Sequence, residues 1–171
     1  MPRLRSLIVL VFVALCAPVL RAHGPLECTL GIFKNDEGYE LVSELTLPSA
    51  ARLLGVEAAE TFSAATFSIH RQALEAAVDR LCNLLDPEGR PVASTRDLVS
   101  LNRQGEVRIV RLYPADAPAD AVRFELLAAL PPGQFCIVTD HRADPPGQTI
   151  LQREKPLYPL APPPSASAPR P

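Results

Sequence analysis

The fold of this chain is constrained most strongly by two neighbouring segments in which apolar and polar residues alternate. The apolar positions are Leu26, Cys28, Leu30 and Ile32 in the first segment, and Tyr39, Leu41, Leu45 and Leu47 in the second. The polar run KNDEG (34–38) joins the two and closes with a glycine, which is typical of a short connection. Alternation with a period of two indicates strands that have one buried and one wet face. We therefore expect an antiparallel hairpin over this region.

The remainder of the chain offers many short strand candidates and one helix. The strand candidates are written in the sequence as DLVSLN, EVRIVRLYP, VRFELLAAL, QFCIVTD and TILQRE. One amphipathic helix is predicted from about Ile69 to Leu81, with Ser68 as its N-cap. The apolar positions at helical spacing are Leu74, Val78, Leu81 and Leu85. This pattern predicts a mostly β fold, specifically an immunoglobulin-like antiparallel β-sandwich with one inserted amphipathic helix.

Two local patterns refine this prediction. The run DPEG (86–89) has Asp first, Pro second and Gly fourth, which is typical of a type I turn between two strands. In EVRIVRLY the apolar residues Val107, Ile109 and Leu112 do not keep one alternation, because it slips by one at Val110. A β-bulge at this point would explain the slip.

The two ends of the chain differ in composition from its middle. Arginines at positions 3 and 5 precede an apolar run over 7–20, which predicts a secretory signal peptide of residues 1–22. Small residues favour cleavage between Ala22 and His23. From Pro156 onward the chain holds seven of its 19 prolines. We expect one β-sandwich domain over 23–156 and a disordered, proline-rich tail over 157–171.

Charge and hydropathy limit the partners of the chain after the predicted cleavage. Removal of residues 1–22 leaves 14 basic residues against 19 acidic ones, a formal net charge of −5. That charge repels polyphosphate, and no basic run with interleaved aromatic residues occurs, so nucleic acid is not expected as a partner. No later segment has the long apolar run of a membrane span, so none is expected after cleavage. The predicted location is periplasmic or secreted.

Cysteine spacing and missing motifs limit the chemistry. Cys28, Cys82 and Cys136 remain after the predicted cleavage, and their spacing is far too wide for a CxxC redox or zinc motif. In an oxidising compartment we expect one disulfide and one leftover buried thiol, with all three pairings open. The sequence contains no HExxH, no GxSxG and no glycine-rich phosphate loop. We therefore do not expect an enzyme.

A metal site at the new N-terminus is one hypothesis. The amine and imidazole of His23, together with His141 or His70, would supply three nitrogen ligands, a set that suits copper. Asp140 lies beside His141 and would orient or charge it. In the alternative, His23 is only the cleavage scar, His70 belongs to the first turn of its helix and His141 belongs to a turn. Because three lone histidines lack metal-ligand spacing, the sequence favours the alternative.

Several short motifs carry a resemblance to a known group of domains. They are GYELVSELTLP (38–48), LLDPEGRPV (84–92), TDHR (139–142) and TILQREKP (149–156). With these motifs in this order, the chain resembles a group of extracytoplasmic β-sandwich domains. Such domains occur alone, or at the front of proteins similar to the nickel/cobalt permeases of the hydrogenase and urease accessory type. The resemblance implies a link to transition-metal handling and an envelope protein or metal permease as partner. Transport is not implied, because the permease helices are missing.

Three functional hypotheses follow. The leading one is an exported, non-enzymatic binding or accessory domain linked to transition metals, with copper or nickel as the candidate cofactor. The second is a structural or protein-interaction module of the cell envelope that has no metal site. The third is an enzyme without a recognisable motif.

Overall fold

The computed structural model describes residues 28–56 and 62–160, and this part of the chain is mostly β. Its strands form two sheets, and two α-helices accompany them. The prediction of a mostly β fold is therefore confirmed. Within the described ranges, no helix has the length and apolar character needed to cross a membrane. The predicted signal peptide, His23 and residues 161–171 lie outside the described residues.

The larger sheet has six strands. They are β1 (Cys28–Asn35), β2 (Gly38–Leu45), β4 (Arg96–Leu101), β5 (Val107–Pro114), β7 (Phe135–Asp140) and β8 (Gly147–Gln152). Their order across the sheet is β4-β5-β2-β1-β7-β8. β1 and β7 run parallel, whereas every other neighbouring pair is antiparallel. The sheet is thus mixed, because β7 returns to β1 after a long connection rather than through a hairpin.

The smaller sheet has three antiparallel strands, in the order β3-β6-β9. They are β3 (Asn83–Leu85), β6 (Ala121–Arg123) and β9 (Leu157–Pro159). β9 lies within 157–171, the segment that the sequence predicts to be a disordered tail. The next residue, Leu160, is buried, and its N–H donates to the Asp120 carbonyl at 2.7 Å. Three ladder positions and one buried leucine hold this short segment in place.

The described residues form two α-helices, of which the second overlaps the predicted one. α1 (Leu47–Leu53) begins after Thr46, whose hydroxyl accepts from the Ser49 N–H at 3.4 Å. α2 (Phe67–Glu75) is followed by a short 3-10 turn over Val78–Arg80, so the predicted helix from Ile69 to Leu81 is broken near its middle. The predicted apolar positions Leu74, Val78 and Leu81 are nevertheless buried. The helical spacing therefore predicted which side chains are buried, but it did not predict where the helix ends.

The predicted strand VRFELLAAL is only partly a strand. β6 covers its beginning, and a 3-10 turn follows over Glu125–Ala128. The successive residues Leu126 and Leu127 are both buried. Successive side chains of a strand point to opposite faces, so a short helical turn buries this pair more readily than a half-exposed strand does.

The predicted hairpin is confirmed as β1 and β2. Asn35 Oδ1 closes it by accepting from the N–H groups of Glu37 and Gly38 at 2.9 and 3.0 Å. Gly38 has a φ of 138°, and a Cβ at this position would come 1.9 Å from the carbonyl oxygen of Tyr113. The glycine is required because β5 passes so close. The predicted DPEG turn is also present, since the Gly89 N–H donates to the Asp86 carbonyl at 2.9 Å.

β5 corrects the predicted bulge. Its register is continuous against both β2 and β4, with no extra residue at Val110. Val107, Ile109 and Arg111 all point to the buried side of the sheet. The apparent slip in the sequence therefore marks a charged residue at an inward position.

Candidate functional site

Arg111 is the centre of a buried polar cluster. Its side chain is 3% exposed, and all its N–H groups have partners. The acceptors are the carboxylates of Asp97 (3.0 Å) and Asp79 (2.6 Å), the carbonyl of Cys82, the side-chain oxygen of Asn83 (3.0 Å) and the hydroxyl of Ser94 (3.4 Å). This guanidinium ties β5 to β4 and to the segment that leads into β3. No donor is left over for a ligand, so Arg111 acts as a structural latch.

A polar cleft of about 490 Å³ opens beside this latch. Its charged lining consists of Asp79, Asp97, Arg111, Arg123 and Glu125. Arg123 is already paired with Glu125, as Arg111 is with the two aspartates. Because each cation of the cleft is neutralised within the protein, the cleft does not have the free positive charge that an anionic ligand requires.

A second polar cluster is centred on Asp140. Arg142 grips the carboxylate with two hydrogen bonds, at 2.9 and 2.6 Å, and the Tyr158 hydroxyl donates to it at 2.9 Å. Arg142 also donates to the Leu160 carbonyl at 2.9 Å. The hydrogen bonds from Arg142 hold the pKa of Asp140 below its usual range. These hydrogen bonds join the TDHR turn to β9. The Asp140 carboxylate is thus engaged by Arg142 and Tyr158 of its own chain.

His141 faces the opposite way from its neighbour. Its N–H donates to the Ile32 carbonyl at 2.9 Å, which extends the parallel pairing of β1 and β7 by one position. Its ring stacks on Phe33, with centroids 4.3 Å apart and planes 4° from parallel. Phe33 in turn lies over Gly31, where a Cβ would approach the ring to 2.8 Å. Thus Asp140 does not orient His141, because the two side chains lie on different faces.

The stack belongs to a surface that we call the outer face, the less buried side of the six-stranded sheet. Strand register places Leu98, Val110, Val42 and Gly31 in one row across four neighbouring strands. Two shallow cavities, of about 410 and 250 Å³, lie on this face. Leu98, Val110 and Glu40 help to line the first, whereas Val42, Phe33 and His141 help to line the second. The outer face therefore combines an apolar row with an aromatic stack.

The structure does not bring the predicted metal ligands together. His70 lies on α2 against Phe62, with ring centroids 5.1 Å apart, and α2 contacts β4. β4 is separated from β7 by four steps across the sheet, or about 19 Å. Asp140 is occupied by Arg142 and Tyr158, and His141 is on the outer face. Within residues 28–56 and 62–160, no three His, Cys, Asp or Glu side chains are grouped as a metal site requires.

The reach of His23 can be estimated although it lies outside the described residues. Cys28 begins β1, while His141 is next to the far end of that strand. The separation along β1 is about 17 Å at 3.3 Å per residue. The five residues from His23 to Cys28 also span at most about 17 Å when fully extended. The amine reaches His141 only if this segment doubles back along the outer face.

All three cysteines of the predicted mature chain are buried and carry thiols in the structure. Cys28 and Cys136 are register partners on β1 and β7. Cys82 stands immediately before β3, and its Sγ is 3.7 Å from the Ser43 hydroxyl. Burial raises the pKa of the Cys82 thiol to about 11, so this group is a poor nucleophile at neutral pH.

Neither Arg111 of the buried cluster nor Phe33 of the outer face was predicted from the sequence. Arg111 was detectable, because the alternation fails where it occurs. Phe33 carried no signal in the sequence, since its role depends on a strand distant in sequence.

A scan against protein-family models finds no match to this chain, and a search of curated proteins finds none either.

Proposed function

We propose that this chain is an exported, non-enzymatic binding or accessory domain, periplasmic or secreted, that contacts a protein of the cell envelope through its outer face. The observation that carries the proposal is the apolar row across four strands. Leu98 is 36% exposed on this face, and Ile150 and Phe135 add further exposed apolar area. Exposed apolar side chains bordered by polar groups are typical of interaction sites.

Charge favours a particular kind of partner. Glu37 and Glu40 lie beside Leu98 and Val110 in the larger of the two outer-face cavities. The predicted mature chain also carries a net charge of −5. The occupant that fits is a protein segment with apolar side chains flanked by lysine or arginine. An envelope protein such as a metal permease could present that segment.

Site-specific photo-crosslinking in the native cell tests the proposal. Benzoylphenylalanine replaces Leu98 in one strain and Ile150 in another. Ile69 provides the matched control, because it is an apolar residue 75% exposed on α2, away from the outer face. We expect a discrete protein adduct from the two outer-face positions and none from the control. Equal adducts from all three positions would show only general apolar adhesion and would overturn the proposal.

A charge reversal sharpens the test. Glu40→Lys places a cation beside the apolar row, whereas Glu75→Lys makes the same change of charge on α2. A basic partner segment is repelled by the first change and is indifferent to the second. The adduct from position 98 should therefore fall with Glu40→Lys alone. An unchanged adduct would refute the basic character of the partner.

We further propose that the two sheets pack face to face as a β-sandwich of immunoglobulin-like type. Contacts between the sheets support the packing: Tyr113 of β5 accepts a hydrogen bond from the Leu84 N–H of β3 at 3.4 Å. The buried cluster also includes residues of both sheets, among them Ile109 and Val122. Nuclear Overhauser contacts between the Tyr113 ring and Leu84 would support this arrangement. Their absence would refute the face-to-face packing.

Metal handling is a second candidate function. The supporting observation is that His141 is exposed on the outer face, where its ring stacks on Phe33 and helps to line a cavity of about 250 Å³. The described residues do not form a metal site by themselves, so the ligand set would need His23. Titration with Cu(II) and Ni(II) compares the mature protein with an N-terminally extended form and with His141→Ala. Binding that is lost in both supports the site, and equally weak heats in all three samples refute it.

A further inference from the structure

Two of the three buried cysteines lie side by side on adjacent strands, and the third does not. Cys28 of β1 and Cys136 of β7 are direct partners in the parallel pair, and both point into the core. Adjacent strands lie about 4.8 Å apart. A disulfide requires Cα atoms roughly 4.4 to 6.8 Å apart and side chains that face each other. The register of β1 and β7 therefore meets the backbone requirement without a shift of either strand.

Side-chain contacts separate the same pair from the third cysteine. The Cys28 Sγ donates to the carbonyl of Phe135, the residue before Cys136, at 3.3 Å, and the two thiols are close enough that Cys28 raises the pKa of Cys136. Cys82 instead contacts Ser43 of β2, on the segment before β3. Ser43 pairs with Leu30 and not with Cys28. Any bridge to Cys82 would have to pull this segment away from Ser43, and the neighbouring Cys82 carbonyl away from Arg111.

We propose that the exported protein carries a disulfide between Cys28 and Cys136, which joins β1 to β7, and that Cys82 stays a thiol. The two thiols lose two protons and two electrons as the S–S bond forms. The oxidant is a protein disulfide of the thiol–disulfide oxidoreductase class, which takes up both and becomes a dithiol. This inference rests on the proposed export but not on the outer face or on a metal.

The bond forms during folding rather than in the finished domain. Both thiols are buried once the sheet has closed, and this burial raises the pKa of the Cys136 thiol well above its usual value, so almost no accessible thiolate is then present. Exchange needs that thiolate, and it therefore takes place before β1 and β7 pair. The resulting bridge closes a loop on the order of 100 residues, a length at which cross-linking restricts the unfolded chain strongly.

Peptide mapping of the exported wild-type protein tests the pairing. The protein is denatured and alkylated without reduction, and then cut with trypsin. Cleavage after lysine and arginine places the three cysteines in separate peptides, ending at Lys34, covering 81–96 and covering 124–142. We expect the first and third peptides linked, with Cys82 alkylated. A link that includes 81–96, or three alkylated peptides, would overturn the proposal.

Thermal unfolding with and without a phosphine reductant provides an independent readout. Reduction should lower the midpoint of the wild type by about ten degrees or more, given the loop length. Cys82→Ala should show the same loss, and Cys28→Ala should show none. An equal response of Cys28→Ala and wild type would contradict the proposed bridge. The peptide map needs no variant, so it decides the pairing even if Cys28→Ala does not fold.

Discussion

Replacing Arg111 with methionine tests the buried latch directly. Methionine replaces the aliphatic stem of the side chain with an unbranched apolar one and removes every hydrogen-bond donor. The change orphans the Cys82 carbonyl and the Asn83 side-chain oxygen, and it leaves the Asp97 carboxylate, which is 22% exposed, without its cation. Removing one partner of a buried ion pair typically costs about 3–5 kcal/mol. Because Asp97 keeps some contact with water, we expect the free energy of unfolding to fall by about 3 kcal/mol.

Two further variants isolate the cause. Asp79 is 79% exposed, so Asp79→Asn removes a solvent-screened pair and should cost under about 1 kcal/mol. Combining Arg111→Met with Asp97→Leu removes the stranded carboxylate together with its cation. We expect this double variant to be more stable than Arg111→Met alone, because a desolvated unpaired charge costs more than an apolar replacement.

Urea unfolding followed by circular dichroism measures all four proteins. For a domain of this size, 3 kcal/mol corresponds to a fall of about 10 °C in the thermal midpoint. The reasoning fails if Arg111→Met lies within about 1 kcal/mol of the wild type, or if adding Asp97→Leu makes it less stable. Either result would mean that the guanidinium and its acceptors are hydrated in the native state.

Three other changes test separate parts of the fold by thermal unfolding. Gly38→Ala should lower the free energy of unfolding by about 3 kcal/mol or more, because the added Cβ meets the backbone of β5. Gly55→Ala should cost about 1 kcal/mol, because Gly55 has a φ of 73° but open space around it. Equal losses in the two variants would contradict the close approach of β5 to Gly38. The pKa of Asp140 is lowered by folding, so its carboxylate stabilises the fold above pH ~4, its unfolded value, and this contribution is lost as the pH falls through the folded pKa. Asp140→Asn should therefore flatten the acid limb of the stability profile, and an unchanged limb would contradict the Arg142 pairing. Deleting residues 161–171 should shift the thermal midpoint by no more than a degree or two. Deleting 157–171 also removes β9 and a buried leucine, so it should lower the midpoint by about ten degrees. Equal effects of the two deletions would contradict the role of β9.

Patterns confined to one segment predicted the fold best. The β1–β2 hairpin and the DPEG turn follow from alternation and turn chemistry within fewer than twenty residues, and both are present. The parallel pairing of β1 with β7 had no local signal, because parallel partners are brought together by a long connection. β9 was missed for a related reason, since its stability comes from β6 and from the burial of Leu160. Composition alone placed it in the tail.

Arg111 shows how a correct observation led to the wrong structure. Its charge was assumed to face solvent, so the broken alternation required a bulge at Val110. A buried arginine costs little when acceptors surround it, and here Asp97, Asn83 and Cys82 supply them. None of those acceptors is close to it in sequence. A slip in alternation at a charged residue is therefore as well explained by a buried ion pair as by a bulge.

Asp140 and His141 are a second case in which adjacency in the sequence suggested an interaction that the structure does not have. Their adjacency suggested that the carboxylate orients the imidazole, yet neighbouring positions in an extended strand point to opposite faces. β7 continues its pairing to His141, so the alternation holds through this dipeptide. Asp140 is turned to Arg142 and Tyr158, where it fastens β9, while His141 is turned to Phe33 on the outer face. Asp140 therefore holds the turn while the His141 ring lies on the outer face, so His141→Ala removes the stack on Phe33 without disturbing the aspartate.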